Sequence, residues 1–428
     1  SWRYAASLAG GHTDNERPNN SFDSFNLTAR VDRAVTTTTT LGGTLRGFHG
    51  EYGSPGTIYT SDPDNEERES NWLGTGFAEF APAPDFTARV TLGGQARRFV
   101  SENPSASGTT QITEVTNRRG VLDAQATYTG VDRHRLTAGT TLETNHTRNT
   151  GFGDINERQN LVAVFVQDQV TVTERLFLTA GLRSDDHDTF GRATTGRATV
   201  AWQAVPARVK LRASYGTAFR SPSFLDLYGE SPFYVGNPDL DPERALGWDA
   251  GVDVYWPGDR GTLSVTWFDT RFRDLIVFDF GVFPGTTANV SRARTRGLEV
   301  SSRLVVGSGT ELKLGYGYLE ADDLSAGTRL LRRPRHTASV DLMQTWAGGW
   351  DAGIGVVAVA NRTDVHAQTF ETIDADDYVV ARIYASWAIN ARIKLRARVE
   401  NALDRDYEQV HGYPQPGFGA YVGAEWTF

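Results

Sequence analysis

The segment 393–400 reads Ile-Lys-Leu-Arg-Ala-Arg-Val-Glu, and its alternation decides the fold. Successive side chains of a β-strand point to opposite faces, so the charged even-numbered positions share one face and the aliphatic odd-numbered positions share the other. A dry protein core cannot accept such a charged row, because each unpaired buried charge is strongly destabilising. A water-filled lumen can accept it, and the aliphatic face suits hydrocarbon. The segment therefore predicts a strand of a transmembrane β-barrel rather than of a soluble β-sandwich.

The same alternation recurs along the whole chain of 428 residues, for example in the segments 135–145, 176–183 and 208–215. It predicts an all-β, antiparallel, up-and-down barrel of about twenty strands, longer than the roughly five or six residues usual in soluble sheets. The mean hydropathy is only -0.40. This value fits a barrel, whose strands offer lipid only every second side chain. No segment approaches the roughly 20 consecutive apolar residues of a helical membrane span.

The predicted connections alternate between short turns and long polar loops, as in outer-membrane barrels. We expect the long loops to be extracellular and both chain ends to be periplasmic, with the strands of Ser1 and Phe428 pairing to close the barrel. Two connections on the long side stay tight, at 188–191 and 322–327. The short turns are 83–85, 130–132, 173–174, 205–207, 257–259, 348–349 and 390–391, and the long loops are 53–70, 102–117, 148–158, 220–243, 281–287 and 364–376.

Composition narrows the function. The net charge of -9 argues against a nucleic-acid partner, and the 10 Trp, 15 Tyr and 22 Phe suit aromatic girdles at the two membrane interfaces. The absence of Cys fits an oxidising compartment, and because the chain begins at Ser1 we expect any signal peptide to have been removed or left out of the sequence. No nucleophile elbow, phosphate-binding loop or metal-ligating histidine spacing is visible. We therefore expect a protein of the bacterial outer membrane that moves or admits a solute, and not an enzyme or an adhesin.

Three segments resemble the barrel of TonB-dependent receptors: 216–228, 236–243 and 400–408. The last strand also resembles the signal read by the outer-membrane assembly machinery, although any edge strand can end in Phe. The resemblance assigns a barrel signature to Asn237, Pro238, Asp241, Pro242 and Glu243, and the assembly signal to Trp426 and Phe428.

Within that family, the segments 52–56, 183–192, 330–333 and 407–413 are similar to cobalamin receptors. The similarity implies import of a scarce, bulky, cobalamin-like ligand powered from the inner membrane. A receptor for a siderophore or another metal chelate is the alternative, because loops set specificity. An open diffusion pore is the third possibility, if no plug fills the lumen.

The family barrel has 22 strands and follows a TonB box and a plug. We therefore expect residues 1–428 to be the barrel alone, with the plug and the first two strands outside this chain. The partners that the resemblance implies are a plug domain and the TonB complex, reached through such segments, with a small-molecule ligand and the lipid and lipopolysaccharide of the outer membrane.

Aromatic residues in the long loops are the candidates for gripping a large amphipathic ligand. The outer aromatic girdle needs the same residue types slightly lower, so both interpretations stay open. The candidates are Tyr59, Phe233, Tyr234, Phe283, Phe370, Tyr413 and Phe418.

The loop 53–70 holds four close carboxylates, at Asp62, Asp64, Glu66 and Glu67. Their density suits calcium, which cobalamin receptors bind in early long loops, while the alternative is an acidic solvated loop. No other cofactor is expected. The Pro-rich loop 220–243 is predicted to be rigid and structural.

The basic rows within 208–212 and 394–398 are predicted to face the lumen. We expect them to pair with carboxylates on neighbouring strands or on a plug, and anion selectivity is the alternative.

Overall fold

The computed structural model describes residues 2–105, 108–279 and 282–427. Over these ranges the chain is nearly all β-structure, with one helix of five residues, α1 (Phe224–Tyr228), and one 3-10 turn (Pro257–Asp259). No helix in this part of the chain is long and apolar enough to cross a membrane. The strands are β1 (Trp2–Thr13), β2 (Phe22–Ala34), β3 (Thr39–Gly53), β4 (Glu66–Ala83), β5 (Phe86–Pro104), β6 (Thr110–Tyr128), β7 (His134–Asn149), β8 (Ile155–Thr173), β9 (Leu176–His187), β10 (Gly191–Val205), β11 (Val209–Arg220), β12 (Glu230–Ser231), β13 (Tyr234–Val235), β14 (Glu243–Trp256), β15 (Gly261–Asp279), β16 (Thr286–Val306), β17 (Thr310–Asp323), β18 (Thr328–Arg329), β19 (His336–Trp346), β20 (Trp350–Ala360), β21 (Arg362–Val365), β22 (Thr372–Ala375), β23 (Tyr378–Ala388), β24 (Ile393–Glu400), β25 (Glu408–Val410), β26 (Tyr413–Pro414) and β27 (Gly419–Trp426).

The main sheet contains 21 of these strands, and every ladder between them is antiparallel. The two-residue β18 pairs with the end of β17, so about twenty long strands form the wall, as predicted. Three small hairpins, β12–β13, β21–β22 and β25–β26, form separate sheets within the long loops. The predicted up-and-down barrel is confirmed. The short turns lie at one end, which we call the short-turn end, and the long loops lie at the other, which we call the long-loop end.

The two faces of the wall differ as the alternation predicts. On the inner face, one cavity of about 710 Å³ is lined by charged residues from four different strands: Lys313, Asp341, Arg382 and Glu400. Side chains from four strands can share one cavity only if the sheet is concave on this face. On the opposite face, the exposed fraction reaches 63% for Leu182 and 87% for Val422. A continuous face of large apolar side chains that stay this exposed indicates a surface covered by hydrocarbon.

Tryptophan rings mark the short-turn end of the outer face. Trp346, Trp350 and Trp387 follow one another on the neighbouring strands β19, β20 and β23, and Trp426 lies on β27, beyond β24. The rings of Trp350 and Trp387 stack with their centroids 4.8 Å apart. Trp426 is 63% exposed, whereas Phe428, the other residue of the predicted assembly signal, lies outside the described residues. The arrangement is typical of the interfacial girdle of a membrane barrel.

Three predicted loops are shorter than expected because their flanking strands continue beyond the apolar band, and one of them, 148–158, is reduced to 150–154. The connection after β3 covers 54–65, so Glu66 and Glu67 belong to β4, and the predicted loop 102–117 shrinks to 105–109. Here polar side chains outnumber apolar ones on both faces, which hides the alternation in the sequence. Cross-strand ion pairs support the ladders, including Arg68 with Glu102 at 3.1 Å.

The predicted closure of the barrel by its terminal strands is wrong for the part of the chain that the structure describes. There, β1 pairs with β2 and β27 pairs with β24, but β1 and β27 form no ladder with each other. Every residue of β1 is exposed. The two edges approach through the long-loop end, where the amide of Gly417 donates to the Glu16 carboxylate at 3.1 Å.

Candidate ligand site at the long-loop end

Three loops that are distant in sequence, 54–65, 361–377 and 401–418, meet at the long-loop end. The amide of Ile58 donates to the carbonyl oxygen of Gly412 at 2.9 Å. The Arg362 guanidinium donates to the carbonyl oxygens of Glu408 and Gln409 at 2.7 and 2.6 Å. These backbone contacts hold the three loops together and fix the side chains that they carry.

Asp364 is the buried centre of this junction, with no exposed surface. Its carboxylate accepts from Arg332 Nε at 2.7 Å, from the Val365 amide at 2.7 Å and from the His411 amide at 2.8 Å. Burial by itself raises the pKa of the Asp364 carboxyl, but these donors outweigh burial and hold the pKa below its ordinary value. The ionised carboxylate therefore positions His411 against the hairpin β21–β22.

Three rings contact one another where the loops meet, and we call them the ring cluster: Tyr59, His366 and His411. Tyr59 and His411 are stacked, and His366 is tilted against both. The centroids of the two histidine rings are 4.5 Å apart, and Tyr59 lies 5.5 Å from His366 and 5.6 Å from His411. Tyr59 is 39% exposed, and both histidines are partly exposed. The ring cluster thus presents polarisable faces to the solvent on a backbone that is already in place.

The hydrogen bonds assign the same tautomer to both histidines. His366 Nδ1 accepts from the amides of Gln368 and Thr369 at 3.2 and 3.3 Å, and His411 Nδ1 accepts from the Ala367 amide at 3.1 Å. A neutral imidazole with an accepting Nδ1 carries its proton on Nε2. The cluster can therefore offer N–H donors and stacking surfaces to a ligand.

A cavity of about 450 Å³ adjoins His411. Tyr378 and Tyr407 form part of its wall, with ring centroids 4.6 Å apart, and burial raises the pKa of the Tyr407 phenol. The charged residues that line this cavity are the carboxylates of Asp374, Asp376, Asp377, Asp406 and Glu408 and the guanidinium groups of Arg362 and Arg405. The excess of carboxylates favours a ligand with positive charge at its periphery.

The aromatic candidates from the sequence fall into different surroundings. Tyr59 belongs to the ring cluster, while Tyr413, Phe370 and Phe418 lie in the same or neighbouring loops with exposed fractions of 45%, 79% and 54%. Their exposure leaves these side chains accessible to a ligand.

The other three candidates lie on different loops. Phe233 and Phe283, exposed by 72% and 80%, contact each other edge to face at 6.4 Å. Tyr234 is buried at 4% exposure, and its hydroxyl donates to the carbonyl oxygen of Leu225 at 2.9 Å. In this arrangement Tyr234 holds the loop, and its ring is not open to a ligand.

The candidate calcium carboxylates do not converge. Asp62 Oδ1 accepts from the Asn65 amide at 3.0 Å, Asp62 Oδ2 accepts from Asn103 at 2.8 Å, and Glu66 pairs with Arg68 at 3.3 Å. Among the residues of the described ranges, no group of three or more His, Asp or Glu side chains is placed to hold a metal ion. The donor set as arranged does not fit calcium, and the predicted site in this loop stays a prediction.

The predicted barrel signature makes contacts within the wall. Asn237 Nδ2 donates to the carbonyl oxygen of Thr287 at 3.0 Å, and the Asp241 amide donates to Asn289 at 2.8 Å. Glu243 accepts both arms of the Arg220 guanidinium at 2.6 and 2.8 Å. These contacts tie the loop between β11 and β14 to β16, which is a structural arrangement.

Lys210, Lys394 and Arg396 of the two basic rows pair with carboxylates on a neighbouring strand or, for Lys394, on the next strand but one, as expected. Lys210 lies 2.8 Å from Asp253, Lys394 lies 3.5 Å from Asp351, and Arg396 pairs with Glu425. Because these positive charges already have partners within the wall, the geometry does not favour an anion-selective row.

Sequence reasoning missed Asp364, His366 and His411. The two histidines are separated by a whole strand pair, and no spacing on a single element connects them. The segment 407–413 was singled out by its resemblance, but only the folded loops bring it against Tyr59.

An apolar outer face with tryptophans at its end, a charged inner face and long loops at one end define a barrel of the outer-membrane type. The comparison with known proteins gives the family. The model of the family "TonB dependent receptor-like, beta-barrel" matches residues 2–402, and the chain belongs to this family. Its members are transport receptors of the outer membrane and not enzymes.

Solved structures share the fold. The ferric-catecholate import receptor Fiu from E. coli K12 has a TM-score of 0.86 at 13% identity, covering 100% of this chain and 78% of the receptor. The copper transporter OprC has a TM-score of 0.84 at 16% identity, covering 100% and 76%. The siderophore receptor PirA from Acinetobacter baumannii has a TM-score of 0.81 at 14% identity, covering 99% and 75%. At these identities the likeness is one of fold.

Proposed function

We propose that this chain is the barrel of an outer-membrane receptor that takes up a metal chelate of the siderophore class. The long loops then face the outside of the cell, and both chain ends face the periplasm. The structures named above carry catecholate, siderophore and copper in their names. For that reason the metal-chelate interpretation, the alternative in the sequence analysis, takes the place of the cobalamin interpretation.

The observation that carries the proposal is the convergence of three loops on the ring cluster beside an acidic cavity. Flat side chains in fixed positions bind a flat organic chelator with a low cost in conformational entropy. The carboxylates of the cavity, Asp374 and Asp406 among them, attract cationic groups of the chelator. The chelated metal is the cargo, and the chelator is what the protein contacts.

In our proposal, transport through this barrel requires a plug domain inside the lumen. A lumen enclosed by about twenty strands is wide enough for water and solutes to pass unless something fills it. We propose that a plug fills it and that the TonB complex acts on the plug to release the ligand.

The binding experiment is a titration of the purified chain in detergent with ferric catecholates, ferric hydroxamates and cobalamin, read by calorimetry. We expect a ferric chelate to bind, and the substitution pair Tyr59→Ala and His411→Ala to weaken that binding by about tenfold or more. The matched control is Phe152→Ala, which removes an exposed loop aromatic at the same end, outside the ring cluster. Binding of cobalamin alone, or equal weakening by the control, would overturn the proposal.

Single-channel recording separates the receptor from an open diffusion pore. A receptor with a plug is expected to be silent in a planar bilayer, and silence of the native protein supports the proposal. A large, ungated, ohmic conductance of the native protein would instead show a pore.

A further inference from the structure

The loop between β1 and β2, residues 14–21, contacts two of the three loops that form the ligand site. It follows β1 at one edge of the main sheet, whereas the loop 401–418 precedes β27 at the other edge. In the described part of the chain β1 and β27 form no ladder with each other. The rings of Tyr59 and His411 therefore meet across a boundary that is held by contacts between loops.

Arg17 holds the first half of the loop 54–65. Its guanidinium group donates to the carbonyl oxygen of Gly56 at 2.8 Å and to that of Pro55 at 3.3 Å. The planar group can hold two carbonyl oxygens at once because its N–H donors form a rigid fork. Tyr59 follows only three residues after Gly56, so Arg17 fixes the backbone from which the tyrosine ring projects.

Asn19 holds the second half of the same loop. Its side-chain amide donates to the carbonyl oxygens of Asp62 at 3.1 Å and Asn65 at 3.0 Å. The backbone of Asn19 is left-handed, with φ of 52°, a conformation that asparagine adopts more readily than most residues. A side chain at Gly53 would overlap Asn19, so the glycine permits the close approach of the two segments.

Glu16 holds the loop on the other side of the boundary. Both oxygens of its carboxylate lie 3.1 Å from the amide nitrogen of Gly417. The next amide, that of Phe418, donates to the Asp404 carboxylate at 3.0 Å. Phe418 is one of the exposed aromatic candidates for ligand binding, so Glu16 fixes the backbone that presents it.

The charges of Glu16 and Arg17 are directed at backbone groups. In the described part of the chain neither residue forms an ion pair within 4.0 Å. Hydrogen bonds to charged groups are stronger than those between neutral groups. One bond joins the two long loops directly, from the amide of Ile58 to the carbonyl oxygen of Gly412 at 2.9 Å. This bond reports how the loops lie relative to each other.

We propose that three residues of the β1–β2 loop are positioning residues of the ligand site: Glu16, Arg17 and Asn19. They act on the ring cluster through the two long loops, whose relative position they fix. Because coupling between two sites is reciprocal, a ligand bound at the ring cluster stabilises the contacts of the β1–β2 loop in turn. The identity of the ligand rests on the proposed function, but the effect on the loops is measured without a ligand.

The test measures amide hydrogen exchange of Ile58 in the purified full chain in detergent, from overlapping peptides. The variants are Glu16→Ala and Arg17→Ala. Each is expected to speed exchange of Ile58 by about tenfold, and the double variant by about a hundredfold, because each removes hydrogen bonds made by a charged group. The control Asp14→Asn neutralises a carboxylate of the same loop that is 89% exposed. It is expected to stay within about twofold of the original chain.

Conservative variants separate positioning from a general loss of structure. Glu16→Gln keeps an accepting oxygen for the Gly417 amide and is expected to exchange at Ile58 within about threefold of the original chain. Asn19→Asp keeps the size and the backbone conformation but removes the donor, and it is expected to speed exchange by about tenfold. If Arg17→Ala fails to fold, Arg17→Lys gives a milder test, with about threefold faster exchange, because lysine lacks the fork.

A bound ferric chelate gives a readout that a purely structural role would not move. The reporter is the amide of Gly53, which donates to the carbonyl oxygen of Ser21 in the β1–β2 loop at 3.1 Å. At about one hundred times its dissociation constant, the chelate is expected to slow exchange of both Gly53 and Ile58, by up to about a hundredfold. The urea midpoint of unfolding is expected to be unchanged in all the variants, because they leave the ladders of the wall intact.

Three results would overturn the proposal. They are unchanged exchange of Ile58 in both alanine variants, equal acceleration in Asp14→Asn, and no effect of bound chelate on Gly53. If no ferric chelate binds the original chain, the proposed ligand is wrong. The exchange of Ile58 in the free variants then still decides whether the β1–β2 loop positions the two long loops.

Discussion

Replacement of Asp364 by Asn is the sharpest perturbation of the loop junction. The fully buried carboxylate accepts three hydrogen bonds, from Arg332 and from the amides of Val365 and His411. Asparagine keeps one accepting oxygen but turns an NH₂ group towards one of these donors. At least one donor is then left without an acceptor, and Arg332 loses its counter-charge.

The magnitude follows from the burial of the pair. A hydrogen bond to a charged group contributes roughly 1.5–3 kcal/mol, and breaking a fully buried ion pair costs roughly 3–5 kcal/mol. Arg332 keeps 47% of its side chain exposed, which lowers the cost of leaving it unpaired. We expect about 3 kcal/mol, which shifts the equilibrium between docked and undocked loops by more than about a hundredfold.

The assay is amide hydrogen exchange over residues 408–413, with the chelate titration as a second readout. Exchange there is expected to accelerate by about the same factor, and chelate affinity is expected to fall, because His411 is no longer held against Tyr59. Glu371→Gln, an exposed change on the same hairpin, serves as control. Exchange within about threefold of the original chain would refute the assignment of Asp364 as the centre of the junction.

Three further perturbations test other parts of the account. Acidification should release the loops: the pKa of Asp364 is below its ordinary value of 3.8, so its stabilising contribution is complete above about pH 4 and is lost as the pH falls through the lowered pKa. Protection over 408–413, corrected for the intrinsic pH dependence of amide exchange, that does not decline at all below about pH 4 in a folded barrel would contradict this. In the lumen, Asp253→Asn removes the partner of Lys210 and should lower the free energy of unfolding by about 1–2 kcal/mol in urea, less than for a dry pair because Lys210 is 34% exposed. The control Glu174→Gln, in a short turn, should change the free energy of unfolding by less than about 0.5 kcal/mol. Equal changes in the two variants would rule out a stabilising role for the Lys210–Asp253 pair. Tyr234→Phe should destabilise its loop by about 1 kcal/mol while leaving chelate affinity unchanged, and a loss of affinity would place Tyr234 in the ligand site.

The wall could be predicted from the sequence because its physical cause is local. In β24 the polarity of each side chain indicates whether that position faces hydrocarbon or water. The ladder of β24 with β27 aligns Leu395 with Ala424 and Arg396 with Gly423, as the alternation requires. The limits of the strands could not be predicted where both faces meet water. Glu66 and Glu102 lie in strand ends that are supported by ion pairs with Arg68. The sequence shows no alternation of polar and apolar residues there, so it does not indicate that these residues belong to strands.

The ligand site was predicted only in part, because it depends on contacts between distant loops. Tyr59 was identified from its type and its loop, but its partners His366 and His411 lie more than three hundred residues further along. Tyr234 has the same type and loop position as Tyr59, and only burial distinguishes the two. The predicted pairing of the first and last strands is wrong because the number of strands and the alternation of their side chains do not determine whether the two edge strands, β1 and β27, pair.

The central claim is that neighbouring positions of one strand face hydrocarbon and water in turn. The chain has no native cysteine, so single cysteines at Leu395, Arg396, Ala397 and Arg398 can each carry a spin label in the reconstituted protein. Collision rates with oxygen and with a water-soluble nickel chelate then report the solvent at each position. We expect high oxygen access at 395 and 397 and high nickel access at 396 and 398. Equal access at all four positions, or the opposite alternation, would contradict it.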